Sequence, residues 1–134
     1  MQNDCGEITV SPIGVIRSSI LDPQEAPKQG NESAVRGELI LDERYREGLA
    51  GIEEGAQIVI LYWMHLAGRD ILQVHPRGDR NRPMRGVFST RSPDRPNPIA
   101  LETVEVVRVR GTVIEVVGLD AVDGTPLLDI KCVA

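Results

Sequence analysis

Apolar residues along this chain recur at the two-residue spacing of strands, or in short unbroken β-branched runs, far more than at helical spacing. Such runs occupy Ile8 to Ile16, Gly37 to Leu41, Gln57 to Met64, Ile71 to Val74, Val104 to Val109 and Thr112 to Val117, and each predicts a strand. The last two turn at Arg110-Gly111, where glycine can supply the positive φ of a tight hairpin. Glu43 to Ile52 is the one stretch that reads as a helix, with Asp42 as its cap. Pro23, Pro27 and Gly30 mark a long loop from Leu21 to Val35. Short strands without repeats and without β-α alternation predict a mostly β, small single-domain barrel-like fold with one short helix, a compact sandwich being the other arrangement such strands build.

Composition narrows the class. A chain of 134 residues makes one domain with its own core. Only 3% of the residues are aromatic, so Val, Ile and Leu must fill that core. No apolar run approaches the roughly 20 residues of a membrane span. The N-terminus MQNDCGE lacks the basic and apolar regions of a secretory signal. Cys5 and Cys132 stand near opposite ends, outside any C-x-x-C spacing, so the expectation is a cytoplasmic protein with reduced thiols. No Gly-rich turn follows the first strand in a β-α-β context, and the glycines at 48, 51 and 55 follow the helical segment. A doubly wound nucleotide site is therefore excluded. There is no Walker loop and no zinc spacing; His65 and His75 are ten apart, and no metal is expected.

Charge is more informative in its distribution than in its total of −5. Between Arg69 and Arg95 seven arginines face three aspartates, while the chain on either side is acidic. An all-arginine cluster suits bidentate phosphate contacts and stacking on bases, which points to a polyanionic or phosphate-bearing partner.

Within that cluster lies GVFSTRSPDRPNPIAL, Gly86 to Leu101. Ser92, Arg95 and Asn97 each precede a proline, which holds them in extended or turn conformations. Such stiffening suits a loop that must present Arg91, Arg95 and Asn97 in fixed directions, because preorganised donors lose little entropy on binding.

The segment resembles the hallmark of the TsaA/TrmO family, the tRNA (adenine-N6) methyltransferases, with the pattern G-V-F-(A/S)-(T/S)-R-(S/A)-x-x-R-P-N-P-(I/L)-(G/A)-(L/M). Further similarity lies in SPIGVIRS (11–18), APKQG (26–30), ILYWMH (60–65), HPRGD (75–79) and GLDAVDGTPLLDIK (118–131), in the family's order. Lys28 stands where arginine is usual in the family, which keeps the charge and loses the planar fork. The resemblance implies a small barrel-like domain that forms a homodimer and binds S-adenosylmethionine in a pocket built from several loops, partly across the dimer interface. It implies cofactor-side positions at Pro27, Lys28, Gln29, His65, Leu66, Arg91, Leu101, Gly118, Leu119 and Asp120. Arg91 and Asp120 are the catalytic candidates, with Asp123 either sharing that work or merely shaping the turn before Gly124. Of Tyr62 and Trp63, one should face the core. Arg77, Arg80, Arg82, Arg85, Arg95 and Asn97 are candidates for contacts to the tRNA anticodon loop.

The implied substrate is an adenosine next to the anticodon whose N6 carries a threonylcarbamoyl group. Its carboxylate offers Arg91 or Arg95 a bidentate partner. The implied reaction is an in-line displacement, in which alignment is the protein's main contribution. A methyltransferase of another RNA or of a small molecule, and a non-catalytic RNA-binding module of the same fold, remain alternatives. Some longer family members carry a C-terminal domain; here a single domain over 1–134 is expected.

Overall fold

Ile58, Ile60 and Tyr62 are buried at every second position of one strand, Gln57–Trp63. Ile114 and Val116 follow the same rule in Val113–Val117, and Glu102, Val104 and Val106 in Ile99–Arg110. One face of each strand is thus apolar, and a barrel buries that face without leaving an unpaired edge. In the computed structural model, which describes residues 6–22 and 35–134, six antiparallel strands close in that way. They are β1 (Gly14–Ser18), β2 (Arg36–Leu41), β3 (Gln57–Trp63), β6 (Ile99–Arg110), β7 (Val113–Val117) and β8 (Thr125–Cys132), in the spatial order β1-β2-β7-β6-β3-β8. Pairing of Ile16 with Thr125 and of Gly14 with Leu127 closes the ring. β4 (Gln73–Val74) and β5 (Arg85–Gly86) form a separate two-stranded ribbon.

The core is aliphatic, built on Ile16, Leu39, Ile60, Ile114, Val116, Leu119 and Leu127, all fully enclosed. The mostly β barrel agrees with the pattern read from the sequence. Its one sizeable helix, Glu43–Leu49, is a 3-10 helix whose first turn is capped by the Asp42 carboxylate accepting from Arg44 N–H at 3.0 Å. It stops short of Ile52. The first strand runs later than the apolar run suggested, at Gly14–Ser18, and Ile71 and Leu72 lie outside β4 and are exposed. β8 was not anticipated, because Pro126 interrupts its reading as a strand. The strand nevertheless runs through Pro126, which pairs with Val15, and Leu127 still reaches the core. Among the described residues no helix is long and apolar enough to cross a membrane.

Strand register assigns every loop to one of two ends. Ser18, Arg36, Trp63, Ile99, Val117 and Thr125 stand at one end, here called the mouth. The 64–98 connection and the 118–124 loop open there. At the opposite end lie the 3-10 helix and the tight turn at Gly111, whose φ is +60°.

Candidate active site

The hallmark loop is held at its base and from within. Met64 N–H donates to the carbonyl of Pro98 at 2.8 Å, and Val87 N–H to that of Leu72 at 2.9 Å. Asp94 accepts from Gly68 N–H at 2.9 Å, and Arg95 N–H donates to the Gly68 carbonyl at 3.0 Å. Arg69 adds Nε to the Pro96 carbonyl at 2.8 Å and Nη2 to Asn97 Oδ1 at 3.3 Å, while its guanidinium lies 5.2 Å from the Trp63 ring. Proline stiffening and docking thus act on the same residues.

The two arginines of the loop have different surroundings. The half-buried Arg95 turns inward and donates to the carbonyls of Thr90, Ser92 and Val87 at 3.1, 2.9 and 3.0 Å. Three of its five N–H donors are therefore spent on the frame of its own loop. Arg91 is exposed and makes no hydrogen bond or ion pair with the described residues. Of the two candidates for gripping a carboxylate, it alone has its whole fork available.

The second wall of the mouth is the 118–124 loop. Gly118, at φ +106°, and Leu119 both donate their N–H to the Val35 carbonyl, at 3.0 and 3.3 Å. Leu119 is fully buried over Gly37, where a Cβ would collide with the Leu119 side chain and the Arg17 carbonyl. This plug fixes the next residue, Asp120. Asp123 is a turn-builder. It accepts from Ser18 N–H at 3.0 Å, donates its own N–H to the Ile20 carbonyl at 2.6 Å, and stands 3.5 Å from Arg17.

Asp120 turns toward the barrel interior. Its Oδ1 accepts the Tyr62 hydroxyl, and its N–H lies 3.4 Å from Glu102 Oε1. Glu102 is buried among apolar strand residues, and its Oε2 has no partner among the described residues. Burial, followed by the neighbouring Asp120, pushes Glu102 up to about 10. Burial first, then Glu102 and Asp120, raise the Tyr62 phenol. Tyr62 is thus the core-facing member of its pair, and Trp63 is half-buried. Sequence reasoning missed Tyr62 and Glu102 as members of this cluster. The signal was present in Glu102, an acid sharing the inward parity of Val104 and Val106.

The other expected residues distribute around this end. His65 and Leu66 follow β3 directly and are exposed. Leu101 lies on the outer wall of β6 opposite Leu61, half exposed, so it does not share the interior with Asp120. Arg77, Arg80, Arg82 and Arg85 belong to the ribbon and its turn, all exposed; Arg77 has φ +54° and Arg82 lies 3.6 Å from Asp79. Pro27, Lys28 and Gln29 lie outside the described residues.

The chain is 46% identical over 93% of its length to a probable S-adenosyl-L-methionine-binding protein of Methanothermobacter thermautotrophicus, covering 89% of that protein. It is 45% identical over 91% of its length to an S-adenosyl-L-methionine-binding protein of Archaeoglobus fulgidus, covering 86% of it. The crystal structure of TrmO from Pseudomonas aeruginosa matches with a TM-score of 0.78 at 32% identity, covering 99% of this chain. The chain spans 57% of that solved chain. The family described as the tRNA-methyltransferase O N-terminal domain matches residues 15–134, and the chain belongs to that family.

Proposed function

We propose that this protein is an S-adenosylmethionine-dependent tRNA methyltransferase that methylates N6 of threonylcarbamoyladenosine next to the anticodon. The observation that carries the reading is Arg91, unpaired and exposed on a loop whose every neighbour is braced. A cationic cofactor suits the mouth, where the half-buried Asp120 carboxyl is held by the Tyr62 hydroxyl. The names of the archaeal relatives support the same cofactor. Asp120, Gly118, His65 and Leu66 would hold it, with the fully buried Leu119 fixing the 118–124 loop from beneath. When bound, S-adenosylmethionine supplies an electrophilic methyl group.

The protein's part is alignment and charge. Arg91 grips the carboxylate of the threonylcarbamoyl group or an adjacent phosphate bidentately. Arg77, Arg80, Arg82 and Arg85 hold the RNA backbone, which fixes register without reading sequence. Conjugation to the carbamoyl carbonyl makes the N6 proton more acidic than that of a plain amine, so Asp120 need act only as a weak acceptor.

The active unit in this reading is a homodimer. Phe88 is 78% exposed, and Leu66, Leu72, Ile99 and Leu101 are also exposed around the same end, an apolar surface that a second subunit would cover. Light scattering at micromolar concentration should give twice the 14.7 kDa of one chain. The deciding test is mass spectrometry of tRNA nucleosides from cells with and without the protein. Loss of the N6-methylated threonylcarbamoyl nucleoside supports the reading. An unchanged nucleoside profile would remove the tRNA substrate.

A further inference from the structure

The buried acid in the barrel has no role in the reaction as drawn so far. Glu102 pairs with Ile60 across β3 and shares its inward face with Val104 and Val106, so it points into an aliphatic core. An ionised carboxylate there needs several donors. It has one long contact, from Asp120 N–H at 3.4 Å, and its second oxygen has none among the described residues. The Asp120 carboxyl is half-buried at the mouth and already accepts the Tyr62 hydroxyl. Two negative charges cannot stand this close in a desolvated site, and the more enclosed group is the one that keeps a proton.

We infer that Glu102 works as a neutral carboxylic acid whose Oε1 accepts the Asp120 N–H while the Tyr62 hydroxyl holds the Asp120 carboxylate, so that the barrel mouth presents one fixed negative charge. Glu102 and Tyr62 are positioning residues, acting through Asp120. Tyr62 from β3 and Asp120 from the loop after β7 are the titratable groups facing Glu102. The inference deepens the proposed cofactor reading and rests on it for its ligand. S-adenosylmethionine carries a sulfonium, an ammonium and a carboxylate, a net single positive charge, whereas its demethylated product is neutral overall. One oriented carboxylate therefore favours the methylated form over the product.

Two measurements on the full chain test this separately. Carbon-13 NMR of the side-chain carboxyls, which needs no ligand, should show Glu102 titrating far above the ordinary carboxylate range. Titration within that range overturns the inference whatever the protein binds. Calorimetry with S-adenosylmethionine and with its demethylated product then reads the consequence. Tyr62→Phe should weaken the methylated form by about tenfold, the worth of one hydrogen bond to a charged group, and narrow its preference over the product. Glu102→Ala should do the same. Glu102→Gln, a neutral acceptor of similar shape, should restore affinity at neutral pH. A folded Glu102→Gln protein that binds no better than Glu102→Ala overturns the inference. Wild type that binds no S-adenosylmethionine removes the cofactor reading instead, and the NMR titration alone then decides the protonation state.

Discussion

The two ends of the barrel are built from the same strands and differ in almost everything else. The end away from the hallmark loop holds a cavity of about 530 Å³, lined by Tyr45, Leu49 and Ile52 on one side and Ile130 and Cys132 on the other. It carries no buried acid among the described residues, and its aliphatic lining is mixed with Arg44, Gln57, Asp129 and Lys131. The mouth is marked instead by polar groups. It carries Glu102, its carboxyl pKa raised by burial, the Tyr62 phenol, the half-buried Asp120 carboxyl and, on the hallmark loop, Arg91, which has no partner among the described residues. Volume marks a gap in packing beside a short helix. Chemistry marks the end where groups are buried at a cost and held by neighbours that need not otherwise be there. In the dimer proposed above, loops and a second copy would complete the pocket, and a hollow in one subunit is a poor guide to it.

The sharpest way to break this contrast is Arg91→Ala. Turnover should fall by about a hundredfold or more at saturating tRNA, because a misaligned in-line reaction is slow. Melting temperature should not change, since Arg91 holds nothing. Arg91→Lys should recover little, a point charge being no substitute for a fork. An effect confined to tRNA affinity would reduce Arg91 to one more phosphate contact.

Arg95→Ala should behave in the opposite sense. Losing three hydrogen bonds to loop carbonyls leaves part-buried acceptors unsatisfied, and stability should drop by about 1–3 kcal/mol in denaturant unfolding. Turnover would fall with it as the loop that carries Arg91 loosens. Full stability in this variant would show that the prolines alone hold the loop.

Stability itself should depend on pH at the mouth. Glu102 keeps its proton when folded at pH values where the unfolded chain has released it. The folded state then binds more protons, so stability is greatest below the ordinary carboxylate range and declines as pH rises toward about 10. Thermal melting across that range should show the decline, and Glu102→Gln should flatten it.

Arg80→Ala or Arg85→Ala should have a smaller effect. Each should weaken tRNA binding moderately, lower the slope of log affinity against log salt by about one, and leave cofactor affinity alone. At the far end the effect should be smallest. Tyr45→Ala should cost about 1 kcal/mol of stability or less and leave cofactor affinity and turnover unchanged. A lost cofactor site in that variant would move the active centre to the large cavity.

The barrel was legible in the sequence because alternation is a local property. Ile58, Ile60, Tyr62, Ile114 and Val116 each declare an inward face within five or seven residues. β8 was hidden by Pro126, which a strand tolerates only where its neighbours do not need that N–H. The hallmark loop was legible too, through its prolines and arginines, and so were most of the residues now found at the mouth. The opposite roles of Arg91 and Arg95 were not. They are the same residue type four positions apart in one stiff segment, and only the closing of the loop on the carbonyls of Val87, Thr90 and Ser92 separates brace from free fork.

The chain by itself therefore determined most of the strands, where the stiff arginine loop lies, and which family it resembles, since each depends on spacing along the backbone. Tertiary structure alone decided that Tyr62, Glu102 and Asp120, from three separate segments, share one desolvated site. Protonation there follows from distance and burial between groups 18 and 58 residues apart, and no local pattern encodes either quantity.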